Sequence, residues 1–79
     1  MPYIQQQTRD VLEMGGKPSN PGELNYTLTK IIKDYTYRHG LCYNTINEVV
    51  GVLQSVQQEY YRRVAAPYED EKLRVNGDV

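Results

Sequence analysis

Arg62 and Arg63 stand side by side in the run Glu59-Tyr60-Tyr61-Arg62-Arg63-Val64-Ala65-Ala66-Pro67-Tyr68. Guanidinium groups are planar and permanently charged, and they meet phosphate or carboxylate through paired N–H donors. Tyr60, Tyr61 and Tyr68 offer flat faces on which a base can stack. Pro67 breaks or kinks a helix at this point, and such a kink would fold Tyr68 and the acids after it back over the arginines. The pattern points to a pocket for a small anionic molecule, with Arg62, Arg63, Tyr60, Tyr61 and Tyr68 as ligand-binding residues. A structural reading competes with it. Glu59 precedes the arginines by three and four positions, the spacing of ion pairs on a helix, and the arginines would also complement a helix C-terminal dipole.

Other combinations carry less chemistry. His39 and Cys42 form an H-x-x-C pair, but a zinc site takes four ligands and the chain has no second His or Cys. The same pair lacks the third, orienting group of a thiolate nucleophile. Glu69, Asp70 and Glu71 are adjacent, point in different directions on a helix and read as a solvated charge run. Gly15-Gly16-Lys17 is a fragment of a phosphate loop and reads more simply as a linker. No enzymatic activity, cofactor or metal is expected.

The composition bounds the partners. The chain has 79 residues, enough for one domain. A single cysteine, Cys42, excludes an intramolecular disulfide and fits a reducing compartment. Neither a signal-peptide h-region nor an apolar run long enough to span a membrane is present, so a cytoplasmic protein without a membrane partner is expected. Nine basic residues against ten acidic give a net charge of −1, which counts against nucleic acid as a partner. An accessory nucleic-acid role for Lys30, Lys33, Arg62 and Arg63 is the weakest alternative.

These side chains need elements to hold them. Ile4, Thr8, Val11 and Leu12 share one helical face, which Gly15-Gly16 ends. Lys17-Pro18-Ser19-Asn20 follows as a linker. Asn20 fits an N-cap, Pro21 the first helical position and Glu23 the far side of a capping box. The helix that follows carries Leu24, Leu28, Ile31, Ile32 and Tyr35 on one face. Gly40 is its stop, with Leu41 set for the hydrophobic contact of a Schellman motif. A second capping box, Thr45-Ile46-Asn47-Glu48, opens the longest helix, expected over 46–66. There Ile46, Val49, Leu53, Val56 and Tyr60 form one apolar seam, and Val50, Tyr61, Val64 and Tyr68 a partial second.

One helix with two seams needs two neighbours, and one antiparallel partner covers only one. Leu, Ile and Val number 18 and Phe and Trp are absent, so the core is poor and a partner subunit is expected. All eight aromatic residues are tyrosine, from Tyr3 to Tyr68, a choice suited to half-buried and interfacial positions. The expected fold is all-α and single-domain. A short helix and linker (1–19) precede an antiparallel helical hairpin (20–66) and a Pro-kinked extension (67–79).

The motifs Asn20-Pro21-Gly22-Glu23-Leu24-Asn25-Tyr26 and Tyr61-Arg62-Arg63-Val64-Ala65-Ala66-Pro67-Tyr68-Glu69-Asp70, with the ending Asn76-Gly77-Asp78-Val79, resemble an uncharacterised family of short phage and prophage proteins. The resemblance runs from about Asn20 to the end and is loose over the first helix. It brings no activity with it. It implies a viral context, in which short helical homo-oligomers bind host components or sequester nucleotide signals. The expected function is therefore a non-enzymatic homo-oligomer that sequesters a small anionic nucleotide-type immune signal in the host cytoplasm. The alternative is a scaffold module that docks on a host or virion protein.

Overall fold

The computed structural model describes residues 4–78, so Tyr3 and Val79 lie outside the described residues. All regular structure among those residues is helical. The all-α class read from the periodicity is what the chain adopts. Its elements are α1 (Gln6–Glu13), α2 (Pro21–His39), α3 (Tyr43–Tyr60), a π-helical segment (Tyr61–Ala65) and α4 (Ala66–Asn76). The chain divides into two compact units, Met1–Thr45 and Ile46–Val79.

In the first unit, α1 ends in a Schellman motif. Gly16 N–H donates to Val11 C=O at 2.9 Å and Gly15 N–H to Leu12 C=O at 3.1 Å. Gly15 takes φ +95°, a conformation that costs L side chains energy. A Cβ on Gly16 would meet Val11 Cγ1 at 2.6 Å, so the chain passes too close to α1 there for any side chain. α1 lies against α2. Leu12 is its anchor and the one buried apolar side chain among the described residues. Lys30 Nζ pairs with Glu13 at 3.0 Å across the two helices.

α2 starts where the sequence predicts. Asn20 is the N-cap, its Oδ1 accepting from Glu23 N–H at 2.8 Å, and Pro21 occupies the first turn. The reciprocal half of the capping box differs from expectation. The Glu23 carboxylate accepts from Ser19 N–H and Ser19 O–H, each at 3.0 Å, and from Asn20 Nδ2 at 3.1 Å. Glu23 thus reaches one residue past the cap and ties down the end of the linker. At the other end Gly40, φ +93°, closes α2 through one bond to Thr36 C=O. Leu41 is 81 % exposed and makes no Schellman contact. That motif belongs to α1.

α3 begins three residues before the expected Ile46, at Tyr43. Thr45 is therefore inside the first turn, not at its cap. It is buried, with Oγ1 3.4 Å from Cys42 Sγ. Thr45 can fill that place because its hydroxyl finds a local partner, which the Cys42 sulfur provides.

In the second unit the helix does not break at Ala66. It widens into the π segment and continues as α4 to Asn76, where Gly77 stops it. Ala65 and Ala66 keep right-handed helical backbone angles, and Ala66 N–H bonds to Tyr61 C=O, five residues back. Pro67 explains the widening. It has no N–H to donate, and in an ideal α-helix its ring would strike the carbonyl of Arg63. A π turn opens the spacing at that point and lets the helix run past the proline. The expected kink is thus a π turn, and the extension is a helix of 11 residues.

Candidate functional site

The arginine cluster sits on the π segment and the last turn of α3. One carboxylate holds both arginines. Arg62 Nη2 donates to Glu59 Oε1 and Arg63 Nε to Glu59 Oε2, each at 2.6 Å. The three side chains are about half or more exposed, so the clamp is screened by solvent and contributes little to stability. Its effect is on charge, since two guanidinium groups share one carboxylate and leave a net charge of +1.

The five expected ligand-binding residues do not form one pocket. Tyr60 and Arg63 line a shallow apolar hollow of about 520 Å³ with Val56 and Val64. Arg62 lines a smaller one of about 260 Å³ with Ser55 and Gln58, and Glu59 borders both. Tyr61 turns toward α4, where its phenol hydrogen-bonds Glu69. That bond and the adjacent negative charge raise the phenol pKa above its ordinary value. Tyr68 lies under Lys72, whose Nζ is 5.5 Å from the ring centroid. Tyr68 is not folded back over the arginines, because the helix continues through Pro67 and carries it along α4.

The Tyr61–Glu69 contact depends on the π turn. On an uninterrupted α-helix a residue eight positions on is turned about 80° away. The wider π turn takes up that offset and aligns the two side chains.

His39 stacks on Tyr35 with ring centroids 4.2 Å apart. Among the described residues no group of three or more His, Cys, Asp or Glu side chains could hold a metal ion. Within them, no helix is long and apolar enough to cross a membrane.

The first unit holds a larger cavity, which the sequence reading did not single out. A groove of about 810 Å³ runs between α1 and α2. Leu12 and Ile31 contribute apolar surface, and Tyr26, Lys30, Lys33 and Tyr37 line it from α2. These four recur at i, i+4, i+7 and i+11, one face of a helix. That spacing was the available signal, and it was masked because Lys30 and Lys33 look like the solvated back of an amphipathic helix. Glu13 raises the Lys30 pKa by hydrogen bond and by charge.

No curated protein and no solved structure matches the chain. A family model described as "Domain of unknown function (DUF6899)" matches residues 1–79, so the chain belongs to that uncharacterised family over its full length.

Proposed function

We propose that the chain is a non-enzymatic binding protein that works as a homo-oligomer and holds a small anionic molecule of nucleotide type. In a phage it would act as a sponge for an immune signal in the host cytoplasm. The observation that carries the reading is the uncovered apolar seam of α3: Ile46 is 41 %, Leu53 43 %, Val56 55 % and Tyr60 65 % exposed. Apolar surface in a continuous stripe is favourable to bury, at about 25 cal/mol per Å², and such stripes mark association surfaces. Further copies of the chain supply matching stripes by symmetry. For the ligand, Tyr60 and Arg63 border one hollow, an aromatic face beside a guanidinium.

Native mass spectrometry of protein purified from host lysate tests both parts. An oligomer that retains a small anionic molecule is the expected result. A bare 9.2 kDa monomer would remove the reading.

The second reading is an interaction module that docks on a host or virion protein. Glu59 favours it, since it already pairs with both guanidinium groups within the chain. Titration with mono-, di- and cyclic nucleotides separates the two. If the arginines bind the ligand, Arg62→Ala or Arg63→Ala weakens it about tenfold or more and the fold is kept. Lysine at either position rescues only part of that loss. If they form only a surface clamp on Glu59, alanine changes no ligand affinity and moves the melting temperature little.

A further inference from the structure

We infer that the groove between α1 and α2 is a second ligand site, one that takes a planar ring carrying a single anionic group, with Lys33 as the anchor for the anion. It rests on a different cavity and different residues from the arginine cluster.

Charge accounting around the groove singles out Lys33. The acids that border it are Glu13 and Asp34. Glu13 is held by Lys30 at 3.0 Å and Asp34 by Arg38 at 2.7 Å. Lys33 pairs with no carboxylate among the described residues, and it lines the groove of about 810 Å³. Most other cationic side chains in the chain already have an acidic partner, as Arg62, Arg63 and Arg74 do. An ammonium in a concave, partly apolar setting with no counterion is a place for an anion.

The neighbouring side chains select a ring. Tyr37 stands one helical turn after Lys33, about 5–6 Å away at Cβ, and is 90 % exposed, so a ring face is open to stacking. The opposite wall is backbone at Gly15 and Gly16, where no side chain narrows the opening. The volume, about 810 Å³, lies within the usual range of small-molecule sites. A nucleoside monophosphate has the required form: its phosphate on Lys33, its base against Tyr37, its sugar over Ile31.

Adenosine 5′-monophosphate is the probe, titrated into the full-length protein and followed by NMR, with adenosine and inorganic phosphate as separate arms. The expected result is shifts at the Gly15 and Gly16 amides and the Tyr37 ring, larger than with either fragment alone. Lys33→Gln should weaken that response about tenfold or more, Lys33→Arg should keep most of it, and Arg62→Ala should leave it intact. Circular dichroism on each variant verifies folding, which an exposed lysine does not control. Phosphate alone reproducing the full response would overturn the ring-specific site. Shifts confined to Tyr60 and Arg63, or unchanged binding in Lys33→Gln, would overturn the site and leave the arginine reading standing. Loss in Lys33→Gln with no effect of Arg62→Ala would support this site as one separate from the arginine cluster.

Discussion

The Glu23 carboxylate is held by three donors. It accepts from the Ser19 backbone N–H, the Ser19 hydroxyl and Asn20, and the first of these contributes most to holding its pKa below the ordinary value. A depressed folded pKa stabilises the fold at pH values above the unfolded pKa, about 4.3 for Glu. That stabilisation is lost as pH falls through the lower folded value. Melting temperature should therefore fall less steeply below about pH 4.3 in Glu23→Gln than in the parent chain. An equal acid slope in both would show that the Ser19 tie does not hold in solution. At the cap itself, Asn20→Ala should lower stability by about 1 kcal/mol, checked by thermal or urea melts. Gly15→Ala should cost roughly 1–2 kcal/mol, because an L side chain at positive φ meets the next carbonyl.

The residue scale was the most legible in the sequence. Asn20-Pro21 marked the true start of α2 because the cap needs only a side chain three residues from its donor. The Schellman motif was assigned to the wrong glycine, at Gly40 instead of Gly15 and Gly16. Both sites offer a glycine after a helix. The difference lies in whether the chain continues close to the helix it has left, as Gly16 does against Val11, and that depends on the path of the linker.

At the scale of elements, helix existence was readable and helix ends less so. α3 starts at Tyr43 because Cys42 and Thr45 satisfy each other locally, whereas the Ser/Thr-x-x-Glu pattern pointed to Thr45 as the cap. Pro67 was visible as a disturbance, but a proline can be met by a break, a kink or a wide turn. The choice of a π turn depends on how the bonds of the whole segment 61–66 are redistributed. The same turn explains why the five expected site residues separate. It swings Tyr61 onto Glu69, while Tyr68, inside α4, meets Lys72 one helical turn on.

This makes a test of the π turn possible. A raised phenol pKa in the folded state stabilises it below the ordinary tyrosine value, about 10, and that contribution is lost as pH rises through the higher folded value. Pro67→Ala restores the N–H and removes the ring, so the segment 61–65 should tighten to α-helix. Tyr61 and Glu69 would then part, and ultraviolet titration should find the Tyr61 phenol back at its ordinary pKa. Glu69→Gln should move it the same way with the π turn retained. A Tyr61 pKa that stays high in Pro67→Ala would mean that the proline is not what opens the turn.

In the whole molecule, the exposed apolar seam of α3 separates a lone chain from an assembly that covers it. Val56 is 55 % exposed within its own chain. An aspartate at that position in a lone helix would cost little beyond helix propensity, a few tenths of a kcal/mol. In an assembly that buries Val56 it would place an unpaired carboxylate in an apolar contact, at several kcal/mol. Val56→Asp should therefore dissociate the oligomer and lower the melting temperature, and sedimentation of both proteins at matched concentration reads the first effect directly. Gly51 probes the opposite face of α3, about 140° round the helix from Ile46, and a Cβ there meets nothing within 4 Å in the single chain. Gly51→Ala should raise the stability of a free helix by about 1 kcal/mol. If another copy packs closely over Gly51 and Ser55, the added methyl group would instead weaken association. Val56→Asp with unchanged mass and unchanged melting would leave the seam without a second copy, and the interaction-module reading would take the place of the homo-oligomer.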